Sequence, residues 1–330
     1  MTPSARGADV LTTFARPRHI PVLEEAIVGF LARPHAVLID ATIGDGGHAA
    51  ALLRASGNKA RLLGIDLDRE SVVRASETLR PFPGQVQVVH DTFAHLQRVA
   101  TRMHITEPTG ILFDLGMATH HLGVERGFSF KNLGTLDMRF DVTGTIQLPD
   151  PDMPALQRLA HRKPSYTAAD ILAHLRQEEL AAVLMEYGEE RHAERIADAI
   201  VSARKRALVT AVPELVQLVV RALPPAARHR RIHAATKTFQ ALRIAVNREL
   251  ESLREGLRGA VALLTSGGRL AVVSFHSGED RIVKIFFREQ AAHGAYRLLT
   301  KHPVQPSAAE RKANPWSRSA RLRVIERHER

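Results

Sequence analysis

The chain has 330 residues and 45% of them are apolar, which is enough to bury a core and excludes a wholly disordered protein. It has no cysteine, which excludes disulfides, thiolate chemistry and cysteine-held zinc and makes a reducing, cytoplasmic compartment the expectation. The formal net charge of +11 favours a polyanionic partner such as nucleic acid or an anionic membrane surface, while no apolar run is long enough to predict a membrane-spanning helix.

The N-terminal part alternates between helices and strands. Residues 1–18 carry arginines but no continuous apolar stretch, which predicts a flexible tail and not a signal peptide. The apolar pattern that follows predicts helices at 21–33, 47–55, 69–79 and 93–102. It predicts strands at 36–40, 61–66, 85–90 and 110–115. Short apolar strands that alternate with helices indicate a parallel sheet that is covered on both faces.

The C-terminal part contains a long helical block. The alternation stops after the fourth predicted strand, and the pattern is helical from about 151 to 245, as in the apolar face of a helix predicted over 188–206. Such a block inside an α/β chain predicts an inserted helical domain at 146–245, so that residues 19–145 and 246–330 form the α/β domain. The last part predicts helices at 247–265 and 279–291 and strands at 269–275 and 321–327.

The segment DATIGDGGH (40–48) is the expected ligand-binding turn, because ligands of open α/β sheets bind beyond the carboxyl ends of the strands. Its glycines allow the backbone to approach a ligand closely, and the helix that follows offers main-chain N–H groups. Gly44, Gly46 and Ala49 satisfy the permissive dinucleotide fingerprint G-x-G-x-x-G/A. Asp66 lies 20 residues after Gly46, where a carboxylate can accept two ribose hydroxyls. An NAD(P)-linked oxidoreductase is therefore one interpretation.

Three acidic residues at strand ends favour a different cofactor. Asp40, Asp66 and Asp114 end the first, second and fourth predicted strands. Asp40 precedes the first glycine of the turn, where an anion would repel a pyrophosphate but would suit a ligand with a cationic amino-acid end. S-adenosylmethionine carries a sulfonium and an ammonium and has no phosphate, so we expect it to bind here. The simpler alternative is that the three acids only cap loops.

Longer motifs run through nearly the whole chain. In chain order they are HIPVLEEAI (19–27), DATIGDGGH (40–48), GIDLD (64–68), GILFDLG (110–116), RGFSF (126–130), LDMRFD (136–141), YGEER (187–191), TKTFQALRIAVNREL (236–250), GGRLAVVSFHSGEDRIVK (267–284) and NPWSRSARLRVIER (314–327). On these motifs the chain resembles the bacterial RsmH family of ribosomal RNA methyltransferases, also called MraW. The resemblance implies an α/β fold, with a Rossmann-like class I methyltransferase sheet and an inserted all-helical domain. It also implies that S-adenosylmethionine methylates the exocyclic N4 amine of a cytidine in the decoding region of small-subunit (16S) ribosomal RNA.

The resemblance further implies which residues form the cofactor site. The implied contacts come from Gly46, Gly47, His48, Asp66, Phe93 and Asp114. The family usually has two serines and then Pro-Gln after its DLG motif, whereas this chain has MATHH (117–121). His121 thus stands where the family's glutamine contacts the cofactor. The family's SFHSLEDR is SFHSGEDR here, and Gly278 in place of leucine loses apolar packing at the start of a helix.

Two residues are candidates for assisting the methylation. A cytidine amine is a poor nucleophile, and a hydrogen-bond acceptor that also takes its proton contributes typically about 10²–10⁴-fold. Asp114, at the end of the fourth strand, and His276, beyond the fifth, are the candidate catalytic residues. The simpler alternatives are cofactor binding for Asp114, a loop histidine bonded to backbone for His276, and loss of the proton to water without a dedicated base.

Two basic segments predict contact with RNA, because basic residues beside an aromatic suit phosphate binding with stacking. The first contains Arg221, Arg228, Arg230, Arg231, Lys237 and Arg243 and no acid. The second surrounds Trp316 and contains Arg311, Lys312, Arg318, Arg321 and Arg323. Phe128 and Phe130 either receive a base that has left its stack or fill the seam between the two domains.

The expected partner is therefore small-subunit ribosomal RNA or the assembled small ribosomal subunit. The oligomeric state stays open, with a homo-oligomer among the alternatives, and a non-catalytic RNA-binding factor for ribosome assembly is a further alternative function. No metal is expected, because neither His120 with His121 nor His229 with His233 has a carboxylate at ligand spacing in the sequence. Neutral histidines on the surface are the simpler interpretation of both pairs.

Overall fold

A computed structural model describes residues 21–57, 59–123, 125–228 and 233–328, so the predicted tail lies outside the described residues. The described part of the chain has an α/β fold built on one sheet. Its strands are β1 (Val37–Asp40), β2 (Arg61–Asp66), β3 (Val86–His90), β4 (Gly110–Asp114), β5 (Arg269–Ser274), β6 (Tyr296–Leu298) and β7 (Arg321–Arg327). The sheet is 7-stranded, with the order β3-β2-β1-β4-β5-β7-β6.

The directions of the strands confirm the expected Rossmann-like sheet. Strands β1 to β5 run parallel, and β7 runs antiparallel to both β5 and β6. The strands predicted at 61–66 and 321–327 have the predicted bounds. The short strand β6 was not predicted, because three residues show too little alternation to be recognised.

Helices cover both faces of the sheet, which explains why its central strands are apolar almost throughout. Successive residues of a strand point to opposite faces, so Leu38 enters one apolar core and Ile39 the other. The helices are α1 (Glu24–Leu31), α2 (Gly47–Ser56), α3 (Arg69–Thr78), α4 (Leu96–Arg102), α5 (Pro154–Arg162), α6 (Ala168–His174), α7 (Gln177–Gly188), α8 (Ala193–Arg204), α9 (Val212–Ala222), α10 (Pro225–Arg228), α11 (Thr236–Asn247), α12 (Glu249–Leu263), α13 (Ser277–Ala292) and α14 (Ala308–Ala313). Within the described ranges, no helix is both long and apolar enough to cross a membrane.

Helices α5 to α11 pack around an apolar core that is separate from the two cores of the sheet. This third core also takes in Phe128, Leu136 and Met138, which precede the helical block, and Leu250, which follows it. The helical region is therefore anchored to the segments that lead into and out of it. An inserted domain with boundaries at 146 and 245 stays a prediction.

Two predicted helices begin later than expected, each after a residue in the left-handed conformation. The helix predicted over 188–206 is divided between α7 and α8 by Glu189, whose φ is 49°, and the helix predicted from 247 begins only after Arg248, whose φ is also 49°. The helix predicted from 93 starts as a 3₁₀ turn over Phe93–His95. Left-handed conformations cost non-glycine residues free energy and require support from tertiary contacts, which a local pattern does not reveal.

Arg248 has such support. It is only 5% exposed, and its guanidinium donates to the carbonyls of Leu148 (3.1 Å), Pro149 (2.9 Å) and Pro164 (2.9 Å). The carbonyls of Leu148 and Pro149 belong to the chain that enters the helical region, and that of Pro164 belongs to the loop between α5 and α6, whereas Arg248 lies where the chain leaves the region. The side chain of Arg248 thus links the segment that leaves the helical region to the segment that enters it.

Replacing Arg248 by alanine is expected to destabilise the protein by about 3 kcal/mol, because three main-chain carbonyls would lose a buried donor that carries a charge. Urea unfolding followed by circular dichroism measures this loss. The matched control is Arg254→Ala in α12, which breaks an exposed pair with Asp152 and should cost less than about 1 kcal/mol. Equal losses in the two variants would contradict the role given to Arg248.

Candidate active site

The acidic edge, defined as Asp40, Asp66 and Asp114, lies at the carboxyl ends of β1, β2 and β4. These strands are neighbours in the sheet, in the order β2-β1-β4, so the structure brings the three predicted residues together. Asp40 is 2% exposed, and the side chain of Asp114 is 15% exposed. The site therefore combines three carboxyl groups with little access to water.

The glycine turn wraps around the carboxylate of Asp66. Gly44 N donates to Asp66 Oδ2 and Asp68 N donates to Asp66 Oδ1, both at 2.9 Å. Gly46 has a φ of 81°, and a Cβ on Gly47 would lie 2.8 Å from Pro21 Cγ. Both glycines are thus required by the turn itself, which fixes Asp66 in one orientation. Their predicted contact with a cofactor stays a prediction.

The three carboxyl groups of the acidic edge have raised pKa values. Burial raises the pKa of Asp40 to about 7, the pKa of Asp66 to about 6 and the pKa of Asp114 to about 7. Glu279 contributes further to the shift at Asp114 through its negative charge. Carboxyl groups of this kind become ionised when a cation arrives among them. The edge is therefore suited to a positively charged ligand.

His48 faces Asp114. Its Nδ1 lies 3.4 Å from Asp114 Oδ2, while its Nε2 lies 2.9 Å from the carbonyl oxygen of Val22. A carbonyl only accepts, so Nε2 is the ring nitrogen that donates in this contact and Nδ1 is the one that faces the carboxyl group. Asp114 Oδ1 is buried and has no hydrogen-bond partner within the described residues. His48 thus orients Asp114, and its predicted contact with the cofactor stays a prediction.

The affinity for a cationic ligand is expected to fall as the pH falls through about 7. Ionised Asp40 and Asp114 attract the cation, and because the pKa of each is about 7, lower pH neutralises them. His48, Asp66 and Glu279 are the other titratable groups that act on this pair. Each neutralised group weakens binding by up to about tenfold per pH unit. Calorimetry with S-adenosylhomocysteine on both sides of that pH tests this; a flat profile would contradict it, and Asp114→Asn should flatten it in part.

His276 is not a free loop histidine. It is the N-cap of α13, where its Nδ1 accepts from Glu279 N at 3.4 Å and its Nε2 lies 3.1 Å from Glu279 Oε1. Glu279 Oε2 in turn accepts from Phe275 N at 2.8 Å. Glu279 was not predicted, although an acid three residues after a possible cap is the pattern of a capping box. A catalytic role for His276 stays a prediction, and its ring has a structural role in the described structure.

Gly278 leaves room for that ring. A Cβ on Gly278 would lie 3.2 Å from His276 Nδ1, which is closer than an ordinary contact, and 4.0 Å from Leu250 Cδ1. Compared with the leucine of the family, Gly278 thus avoids a close contact with the ring of His276, and it also lacks the apolar packing that a leucine would provide.

Phe93 and Phe128 pack mainly against other aromatic rings. The ring of Phe93 meets Phe113 edge to face, with centroids 5.5 Å apart. Phe128 is 6% exposed and stacks on Phe140 at 5.2 Å, so it fills the core of the helical region and is not open to a base. Phe130 is half-buried and stacks on His233 at 4.3 Å. A cofactor contact by Phe93 stays a prediction.

The expectation that His120 and His121 are neutral surface histidines is wrong. Their side chains are 5% and 4% exposed, and their Nε2 atoms lie 2.6 and 2.8 Å from Asp68 Oδ2. Burial disfavours the charged form of His120, but its contacts with Asp45 and Asp68 outweigh burial and raise its pKa to about 9. Burial lowers the pKa of His121. Asp68 was missed because it lies more than 50 residues away in the sequence.

The basic surface is smaller than predicted. Arg323 is buried and donates to Asp280 from Nε at 2.7 Å, and Arg321 pairs with the same carboxylate at 3.0 Å. Arg243 makes two hydrogen bonds to Glu249, at 2.8 and 2.9 Å, and is not available to RNA. Trp316 is 65% exposed. The exposed basic residues around it are Arg311, Lys312 and Arg318. Arg230, Arg231 and His229 lie outside the described residues.

Comparisons with known proteins agree with the motifs. The chain matches the model of the MraW methylase family over residues 16–148 and 152–328. Ribosomal RNA small subunit methyltransferase H of Persephonella marina is 41% identical over 310 residues, which cover 94% of this chain and 99% of that protein. The protein of the same name from Thermomicrobium roseum is 44% identical over 326 residues, with 94% and 93% covered. A solved structure of an rRNA methylase from Streptococcus thermophilus is a distant likeness, with a TM-score of 0.40 and 11% identity over 93% of this chain and 94% of that one.

Proposed function

Because the chain belongs to the MraW methylase family, we propose that it methylates the exocyclic N4 amine of a cytidine in the decoding region of small-subunit ribosomal RNA, with S-adenosylmethionine as donor. The names of the curated relatives support small-subunit ribosomal RNA as the substrate. The observation that carries the choice of cofactor is the acidic edge: within the described residues, no arginine or lysine pairs with Asp40, Asp66 or Asp114. A cationic ligand would supply the missing positive charge.

The residues at the edge fit this cofactor. Asp66 already accepts one main-chain N–H on each oxygen, and each oxygen keeps a lone pair for a ribose hydroxyl. Asp40 and Asp114 supply negative charge for the ammonium of the amino-acid end. The sulfonium of S-adenosylmethionine supplies an activated methyl group. What the protein has to do is orient the cofactor and the base, which can be worth roughly 7–11 kcal/mol in the best cases.

Asp114 is the better candidate for assisting the amine. Its Oδ1 is buried and without a partner in the described structure, so it can accept a hydrogen bond from the cytidine N–H₂ group. Such an acceptor makes the nitrogen lone pair more available, and it can take the proton that methylation releases. His276 Nδ1 accepts from Glu279 N, and its Nε2, which is also buried without a hydrogen-bond partner among the described residues, lies 3.1 Å from the carboxylate of Glu279. We therefore assign the proton to Asp114 and a positioning role, through the cap of α13, to His276.

The oxidoreductase interpretation does not fit this family. The dinucleotide fingerprint is satisfied by Gly44, Gly46 and Ala49, but the turn closes on Asp66 and lies beside Asp40 and Asp114. Two extra carboxylates would repel the pyrophosphate of NAD(P). A non-catalytic assembly factor is the other alternative, and a measurement of methyl transfer distinguishes it from a methyltransferase.

The exposed surface around Trp316 is the proposed contact with RNA. Arg311, Lys312 and Arg318 surround this exposed indole, and stacking of a base on an aromatic is worth about 1–3 kcal/mol. Trp316→Ala is expected to weaken RNA binding by this amount. The double variant Lys312→Ala/Arg318→Ala should lower the slope of log K against log salt by about 0.7–0.9 per lost phosphate contact.

Filter binding at several salt concentrations measures both effects. The matched control is Arg80→Ala, which removes an exposed arginine after α3, at the other end of the sheet from β7. The surface around Trp316 is not the contact if Arg80→Ala changes affinity and salt slope as much as the double variant does.

Transfer of labelled methyl groups tests the function itself. Small ribosomal subunits from cells that lack this protein are incubated with the purified chain and tritiated S-adenosylmethionine, and the nucleosides are mapped by mass spectrometry. We expect N4-methylcytidine at one site, and none with Asp66→Ala. Absence of label with a chain that binds the subunit would favour an assembly factor. Label on another atom or nucleotide would overturn the N4-cytidine proposal and leave a ribosomal RNA methylase.

A further inference from the structure

The side chains of Asp68, His120 and His121 converge on one point below the glycine turn. Their potential ligand atoms, one from each residue, all lie within 4.8 Å of one another. Asp68 Oδ2 is 2.6 Å from His120 Nε2 and 2.8 Å from His121 Nε2. Two imidazole nitrogens and one carboxylate oxygen are thus directed at the same small volume. This is the donor set of many sites for divalent transition metals.

We propose that Asp68, His120 and His121 form a binding site for a divalent transition-metal ion, with Zn²⁺ as the probe. Zinc bonds to histidine and aspartate are about 2.0–2.2 Å long, so tetrahedral ligand atoms are separated by about 3.3 Å. Asp68 Oδ2 therefore needs to move away from the two Nε2 atoms by only about 0.5–0.7 Å, from its separations of 2.6 and 2.8 Å. His120 and His121 lie in the 3₁₀ turn Thr119–Gly123, a short element that can take up such a shift.

A carboxylate also lies near the second ring nitrogen of His120, although beyond hydrogen-bond distance. Its second ring nitrogen, Nδ1, lies 3.7 Å from Asp45 Oδ1. A carboxylate behind a bound histidine orients the ring and raises its basicity. Among the described residues, the cationic group of Arg126 lies 3.8 Å from Asp68 Oδ2 and would repel a bound metal ion. The other terminal nitrogen of Arg126 donates to the carbonyl oxygen of Arg139 at 3.0 Å. Arg126 is therefore held from a second side.

The site differs from the proposed methylation and does not depend on it. Asp68 is the N-cap of α3, and His120 and His121 follow β4. A bound ion would link these two elements beside Asp66, since Asp68 N donates to Asp66 Oδ1. Its expected effect is a higher unfolding temperature of the protein with Zn²⁺ than with a chelator.

Metal content after dialysis tests the proposal. The full chain, free of any affinity tag, is dialysed against Zn²⁺ and then against buffer, and its zinc is measured by mass spectrometry. We expect one equivalent in the wild type and its loss in Asp68→Asn and His120→Gln, both of which keep polar contacts. His161→Gln, an exposed histidine of α5, should retain the ion. Mg²⁺ should not compete, because it prefers oxygen ligands.

Zinc that is absent from the wild type, or that persists unchanged in Asp68→Asn and His120→Gln, would overturn the proposal. Circular dichroism establishes whether the variants are folded. Should they fail to fold, X-ray absorption at the zinc edge of the wild-type protein decides the question. Scattering from two imidazoles at about 2.0–2.1 Å supports the site, and a spectrum without imidazole scattering rejects it.

Discussion

Asp114→Asn is expected to lower kcat for methylation by about 10²–10⁴-fold, which is the usual contribution of a group that accepts a proton in the transition state. An asparagine has the shape of the aspartate, and its amide can donate to His48 Nδ1, which lies 3.4 Å from Asp114 Oδ2. The fold should therefore persist, while the charge and the proton acceptor are lost. Single-turnover rates with saturating cofactor and ribosomal subunits measure the effect.

The split between kcat and KM separates this role from cofactor binding. If Asp114 only binds the cofactor, the Asp114→Asn variant has a higher KM for S-adenosylmethionine, and its kcat at saturation equals that of the wild type. His276→Asn is the matched comparison, because asparagine is a good N-cap and preserves the start of α13. We expect His276→Asn to retain kcat within a few-fold. A loss as large as that of Asp114→Asn would move the proton acceptor to His276.

Asp66→Ala is expected to weaken binding of S-adenosylhomocysteine by about 10²–10⁴-fold. Two hydrogen bonds from ribose hydroxyls to a carboxylate would be lost, and each is worth about 1.5–3 kcal/mol. The substitution also removes the acceptor of Gly44 N and Asp68 N, so the unfolding midpoint has to be measured alongside. Calorimetric titration with the ligand gives the affinity.

Glu70→Ala is the matched control for this loss. Glu70 is an exposed acid at the start of α3, and it pairs with Arg74, away from the acidic edge. Its removal changes the net charge by the same amount and should leave the affinity unchanged. An Asp66→Ala protein that is folded and binds the ligand as tightly as Glu70→Ala would show that Asp66 does not hold the ribose.

The acidic edge could be predicted from the sequence because its geometry follows from strand order. Asp40, Asp66 and Asp114 each end an apolar run, and the carboxyl ends of parallel strands meet at one edge of a sheet. The strand at 321–327 was equally recognisable, since it alternates over its whole length. The local apolar pattern was sufficient to predict those strands whose residues follow it over their whole length.

Other parts depend on contacts that no local pattern contains. The break at Arg248 rests on carbonyls about 100 residues away in the sequence, and the Asp68 contacts of His120 and His121 span more than 50 residues. The same holds for the basic segments, where Arg323 is neutralised by Asp280 from another element. The sequence alone gives the number of basic residues in a segment. The fold is needed to find which of them already pair with an acidic residue and which are free to bind RNA.

A crystal structure with sinefungin, a stable cationic analogue of the methyl donor, tests the central claim most directly. We predict that the analogue lies over the glycine turn, with its ribose hydroxyls on Asp66 and its amino groups within reach of Asp40 and Asp114. A cleft too narrow for an adenosine, or an analogue that binds away from these three carboxyl groups, would contradict the claim that the edge of this sheet holds a cationic methyl donor.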